Sequence, residues 1–237
     1  AEAITYFEKA CNMGNANGCD NAGLAYAKGN GIQKDYNKAL ALFQKACSMG
    51  NPDGCDRLGV FYAKGMGIKQ NNKKAAEYFE KSCNMNDPKG CFDLAIAYDD
   101  GIGVNKDYTK GATFAKKACD MGFAKGCDGL AFMYAEGIGV KKDSTKAFEL
   151  YKKSCEMGSA DGCGNLGIDY AEGNGVQKDS KKAIFYLNKS CQMGSSKSCY
   201  NLGLMYANGI GIKKDSEKAK ELYKKACKMG YTKACSS

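Results

Sequence analysis

All fourteen cysteines of this chain fall into C-x7-C pairs, and the pairs recur every 36 residues, at 11/19, 47/55, 83/91, 119/127, 155/163, 191/199 and 227/235. A self-similar period of roughly 20 to 50 residues marks chains built by stacking one small supersecondary unit. The 237 residues are therefore about six copies of one module, not one or two globular domains. Residues 1–14 hold the second helix of a partial copy. Full copies follow at 15–50, 51–86, 87–122, 123–158, 159–194 and 195–230, and 231–237 begin a further copy or form a C-terminal tail.

One copy, residues 51–86, shows how the module folds. Leu58, Gly59, Tyr62 and Ala63 put apolar and small groups along one stripe of a first helix, helix A. The tyrosine recurs as Tyr26, Tyr62, Tyr98, Tyr134, Tyr170 and Tyr206. A loop with glycines two apart, Gly65 and Gly67 here, stops helix A and supplies positive φ. A single Ile or Val (Ile32, Ile68, Val104, Val140, Val176, Ile212) then plugs the loop into the core. Asp35, Asn71, Asp107, Asp143, Asp179 and Asp215 stand where an N-cap is needed for a second helix, helix B. Helix B carries Ala39 and Phe43 in one copy, Phe148 and Tyr151 in another, and ends at cysteine, methionine and usually glycine. The pattern predicts an all-α chain of paired helices.

Several function classes recede on this reading. The glycine loop has neither the G-x-G-x-x-G nor the G-x-x-x-x-G-K-[ST] pattern and lies between helices, so it reads as structural and no cofactor is expected. The methionines Met13, Met49, Met85, Met121, Met157, Met193 and Met229 read as gap-fillers between successive copies. Lys and Arg exceed Asp and Glu by 9, but the lysines sit at fixed repeat positions such as Lys38, Lys74, Lys110, Lys146, Lys182 and Lys218. That spread is a solvated face, and no nucleic-acid partner is expected. No apolar run reaches membrane-spanning length.

The cysteine spacing does not fit zinc, whose pairs lie closer and recruit histidine, and the chain has no histidine. C-x-x-C redox motifs are absent as well. Structural disulfides remain, in two schemes. Pairing across each turn gives Cys11–Cys19, Cys47–Cys55, Cys83–Cys91, Cys119–Cys127, Cys155–Cys163, Cys191–Cys199 and Cys227–Cys235 and uses every cysteine; pairing across each hairpin, such as Cys55 with Cys83, strands Cys11 and Cys235. The first is favoured. Disulfides in such numbers imply a periplasmic or secreted protein. No signal peptide is visible, so it is expected to have been removed, or the chain to start within a helix B.

The motif L-G-x-x-Y-A-x-G-x-G-V/I, then K-D, K-A and C-x-M-G-x-x-x-G-C, resembles the Sel1-like repeat, a relative of the tetratricopeptide repeat. The paired cysteines resemble the Helicobacter cysteine-rich proteins. Departures are Asn86 for the turn glycine, Asp99 for the alanine after tyrosine, and Ser198 and Ala234 for the glycine before cysteine. The resemblance implies a right-handed αα-superhelix, a solenoid of about six repeats with a disulfide at each joint. It implies two functions. One is a scaffold that binds a protein or peptide, a host protein included, on its concave face. There the variable helix-A positions Asn21, Arg57, Asp93, Asn165 and Asn201, with Phe61, Met133 and Met205 four residues on, are the expected contacts. The other is penicillin binding with weak β-lactamase activity. For that, S-x-x-K, S-D-N and K-T-G are all missing; the nearest string runs from Thr113 to Lys116. No catalytic or metal-binding residue is expected, and a monomer is.

Overall fold

A computed structural model describes residues 2–236. Among them the chain is helical, with no strand. Helices of type B are α1 (Glu2–Asn12), α3 (Tyr36–Ser48), α5 (Asn72–Asn84), α7 (Tyr108–Asp120), α9 (Ser144–Glu156), α11 (Ser180–Gln192) and α13 (Ser216–Lys228). They alternate with type A helices α2 (Ala16–Lys28), α4 (Pro52–Lys64), α6 (Pro88–Asp100), α8 (Ala124–Glu136), α10 (Ala160–Glu172) and α12 (Ser196–Asn208), and a short 3-10 helix spans Thr232–Ser236. The helices group into two compact units divided after Met121. No described helix is long and apolar enough to cross a membrane.

Each A–B turn is closed by the same few groups. The first loop glycine, Gly65 in one copy, caps helix A at φ 66 and returns its N–H to the Phe61 carbonyl. Asp35, Asn71, Asp107, Asp143, Asp179 and Asp215 are the N-caps of the B helices, each accepting the N–H three residues on. Their own N–H groups donate back to the repeat tyrosine, as from Asp35 to the Tyr26 carbonyl at 3.0 Å and from Asp179 to Tyr170 at 2.8 Å. The fixed lysine then lies over that ring: Lys38 over Tyr26 at 5.1 Å, Lys74 over Tyr62 at 5.3 Å, and Lys110 over Tyr98, Lys146 over Tyr134 and Lys182 over Tyr170 at 5.2 Å. Each such contact adds about 0.5–1 kcal/mol at an exposed site. The regular lysines are thus clasps between A and B as well as solvated charge.

The B–A joints carry the disulfides in the across-turn scheme. Cys11–Cys19, Cys47–Cys55, Cys83–Cys91, Cys155–Cys163, Cys191–Cys199 and Cys227–Cys235 are bridged, with Cα atoms 4.4 to 4.9 Å apart. Cys119 and Cys127 are also disulfide-bonded, and no described cysteine is free. The glycine before the second cysteine permits the approach: a Cβ on Gly54 would stand 2.8 Å from that of Ala46. Where Ser198 replaces that glycine, the facing residue is Ser190, whose hydroxyl donates to Ser198 Oγ at 2.7 Å. Asn86 holds φ 61 where the other copies have glycine, a conformation asparagine tolerates better than most residues.

The repeat methionines sit between successive copies: the sulfurs of Met49, Met85, Met157 and Met229 lie 3.9, 4.0, 3.9 and 3.9 Å from Cys19, Cys55, Cys127 and Cys199 of the preceding joint, while Met13 is 77% exposed. Asp99 is part of a matched exchange. Where five copies have alanine at both positions, this one has Asp99 on α6 and Gly111 on α7, and a Cβ on Gly111 would overlap the Asp99 carboxylate.

Replacing both Cys83 and Cys91 with alanine is expected to lower the unfolding free energy by about 2–3 kcal/mol, the chain-entropy value for so short a loop, in denaturant titration of the oxidised protein. Gly111→Ala alone is expected to cost about 1–3 kcal/mol from overpacking. Asp99→Ala with Gly111→Ala, which restores the pattern of the other copies and removes a buried carboxylate oxygen without a partner, is expected to be at least as stable as the unaltered chain.

Candidate binding groove

In the first unit, α4 and α6 lie side by side and leave a groove of about 430 Å³ between them. Val60, Ala63, Ile96, Ala97 and Ile102 line it, Phe79 of α5 reaches in from the hairpin, and Lys64, Lys89 and Asp93 supply polar atoms. A smaller hollow of about 230 Å³ lies on α2, where Asn21, Leu24 and Ala25 take the places of Asp93, Ile96 and Ala97 and Phe7 that of Phe79.

The apolar wall belongs to a helix-A position that sequence reasoning passed over. Leu24, Val60 and Ile96 in the first unit and Phe132, Ile168 and Leu204 in the second all lie five residues after the second cysteine. Ile96 is 38% exposed, Phe132 53% and Leu204 36%. The signal was available: a position that is large and apolar in all six copies yet lies beside the Leu58–Tyr62 core stripe is only partly explained by the hairpin core, against which Leu24 and Ile168 pack.

The expected contact residues separate into three groups. Asn21 is exposed and lines the smaller hollow, Asp93 lines the larger groove, and Asn165 and Asn201 are half-buried on α10 and α12. Arg57 is committed internally: its Nε and a terminal nitrogen donate to the two oxygens of buried Asp20 at 2.8 and 3.2 Å, tying α4 to α2. Phe61, Met133 and Met205 are core residues, 5%, 4% and 5% exposed, with Phe61 edge-on to Phe43 at 5.3 Å. They are corrected from ligand contacts to packing residues. From the position of Asn21, Arg57 or Asp93, the residue four on turns into the A–B hairpin, and the one three on stays at the surface.

Charge on this face is unevenly matched. Lys89 Nζ donates to Asp56 Oδ2 at 2.6 Å, and Asp56 is 1% exposed. Its other oxygen, Oδ1, has no partner as long as Asp93 is ionised. Burial, and then the charge of Asp56 and a hydrogen bond with it, raise Asp93 to about 7. The protonated Asp93 carboxyl is then the donor that Asp56 lacks. Burial raises Asp99 to about 6, helped by Asp100, and raises Asp169 to about 6 against the opposing effect of Asn174. Burial, and then Asp87, also push Asp53 upward.

In the string nearest to S-x-x-K, both polar groups are engaged locally. Thr113 donates its hydroxyl to the Thr109 carbonyl at 2.9 Å, and Lys116 is paired with Asp120. No cluster of three potential metal ligands occurs among the described residues.

An array of disulfide-joined helix pairs with an apolar groove between α4 and α6 defines a helical-repeat scaffold, a class that mediates protein interactions. The Sel1 repeat matches residues 1–15, 16–51, 52–87, 88–123, 124–159, 160–195 and 196–231, and the chain belongs to that family. It is similar to a Sel1 repeat protein from Oxalobacter formigenes, with 29% identity and TM-score 0.89 over 95% of this chain and 92% of the other. It is also similar to c5321, described as a protective antigen present in uropathogenic Escherichia coli strains, with 28% identity and TM-score 0.86 over 98% of this chain; it spans half the length of that protein. Cysteine-rich protein B of Helicobacter pylori is 34% identical over 56% of this chain and 96% of its own, with TM-score 0.47. No curated protein matches the chain significantly.

A native carboxyl with a raised pKa keeps its proton through a range where the unfolded chain has already lost one, so stability falls as pH rises across that range. For Asp93 the range runs from the ordinary carboxylate pKa of about 4 to about 7. Melting temperature is therefore expected to decline between pH 5 and 7, and Asp93→Asn to flatten the decline by roughly one proton's worth of slope. An unchanged slope in the variant would show that Asp93 ionises normally.

Proposed function

We propose that the chain is a binding scaffold for a protein or peptide, which lies along the A helices and places apolar side chains against Leu24, Val60 and Ile96 or against Phe132, Ile168 and Leu204. The observation that carries this reading is that row: Ile96 in the first unit and Phe132 and Leu204 in the second are exposed, and Leu24, Val60 and Ile168 at the same helical position are half-buried. Asn21, Asp93, Asn165 and Asn201, one turn earlier on the same helices, are the polar contacts that orient the partner.

The disulfides support an oxidising, extracytoplasmic setting, and the reading takes the chain to be periplasmic or secreted. The likeness to a protective antigen of uropathogenic Escherichia coli supports a role in contact with a host. Neither point identifies the partner, and the A-helix face is where it is sought.

Peptides selected from a displayed library on the oxidised protein test the reading directly. Their affinity is expected to fall at least about tenfold with Ile96→Glu or Phe132→Glu, at positions exposed enough that melting temperature stays within a few degrees. Selected peptides that bind both variants as well as the unaltered protein would place the binding surface elsewhere.

A further inference from the structure

We propose that the α4–α6 groove takes a segment in which an aliphatic side chain is followed by a lysine or arginine, the aliphatic group seated between Val60 and Ile96 and the cation paired with Asp93. This rests on the scaffold reading and specifies the chemistry of one of its subsites.

The charge pattern supplies the argument. The chain as a whole carries a formal charge of +9, and Lys64 and Lys89 line the groove with Asp93, yet around Asp93 itself the acids outnumber the bases. Asp53, Asp56, Asp87 and Asp93 act on one another here, and the cations among them are already engaged: Arg57 is held by Asp20, and Lys89 by Asp56. Lys89 acts favourably on Asp93 as well, but its ion pair is with Asp56. Asp56 Oδ1, in a residue 1% exposed, is left without a donor whenever Asp93 is ionised. The pair therefore lacks either a proton or a positive charge. A cationic side chain entering the groove provides the second, and the proton leaves to solvent.

The rest of the groove sets the orientation. Lys64 lies seven residues beyond Arg57 on α4, about 10 Å along the helix axis. Val60 and Ile96 stand between the two ends. A second cation is repelled at the Lys64 end, so the occupant's apolar and basic groups have one favourable order. The titratable groups bearing on Asp93 are Asp56 from α4, with Lys89 and Asp87 from its own helix and cap; Arg57 acts through Lys89. The proton to be displaced is bound with a pKa of about 7. Binding of a cation is therefore weaker at pH 5.5 than at pH 8 by about 10- to 30-fold.

The test uses the oxidised, isotopically labelled full chain and two probes blocked at both termini, acetyl-Gly-Gly-Leu-Lys-Gly-Gly-amide and its counterpart with Glu in place of Lys. Binding is read from amide and methyl shifts of Val60, Lys89 and Ile96. The lysine peptide is expected to shift these resonances, to bind at least about tenfold more tightly at pH 8 than at pH 5.5, and to lose that pH dependence in Asp93→Asn. Ile96→Ser, which leaves the carboxyl pair intact, is expected to weaken both peptides alike at both pH values. Equal or tighter binding of the glutamate peptide, or a lysine-peptide affinity independent of pH, overturns the cation assignment and leaves the scaffold reading in place. Absence of shifts with either peptide at millimolar concentration overturns the subsite itself, and the scaffold reading is then judged by the library-selected peptides.

Discussion

The disulfide across each B–A turn is the constraint on which the other contacts depend. Closing a C-x7-C loop removes most of the freedom of the turn in the unfolded chain and fixes the end of one helix against the start of the next. A single helix pair of this size has too little core to hold its own geometry. With the joint held, residues with almost no side chain can stand where the helices touch, as at Gly54 against Ala46. The hairpin core is correspondingly small, a few side chains such as Phe43, Leu58 and Phe61 in the first unit and Phe148, Tyr151 and Leu166 in the second.

A covalent joint also loosens the demands on the helix faces. The inner face of each pair must pack and repeats closely, through the tyrosine, the leucine and the N-cap. On the other face of helix A the copies diverge in charge: Asn21, Arg57, Asp93, Asn165 and Asn201 occupy one register, with Arg57 turned to an internal ion pair. Stability residing in turns and bridges leaves that face free to carry recognition. The buried acids show the same latitude inside. Gly111 makes room for the Asp99 carboxylate, and burial and the charge of Asp56 raise Asp93.

Most of the fold was legible in the spacing of a few residue types. The 36-residue period, the loop glycines and the N-cap Asp or Asn residues specify two helices and a reversal, since each acts through its own backbone or a neighbour's. The across-turn disulfides were legible for the same reason, with both partners in one turn. Less could be read where a side chain's role depends on rotation about the helix axis. Phe61, Met133 and Met205 were expected at the surface and are buried, whereas Ile96 and Phe132 were overlooked and are exposed. The difference is one residue, about 100° of rotation, and the side it falls on depends on how A packs against B.

By itself, then, the sequence determined a disulfide-joined array of helix pairs of the Sel1 repeat family, because the signals for turns, caps and bridges are local. Only the tertiary structure decided what each helix presents. Arg57 is spent on Asp20, a residue 37 positions earlier, and Lys89 on Asp56, 33 positions earlier. Asp93 is left facing a groove with its carboxyl raised to about 7. These relations join neighbouring copies across more than thirty residues, and a one-copy reading has no access to them. They arise because stacking brings equivalent helix positions side by side, where a difference between copies becomes an ion pair, a raised carboxyl or an open site.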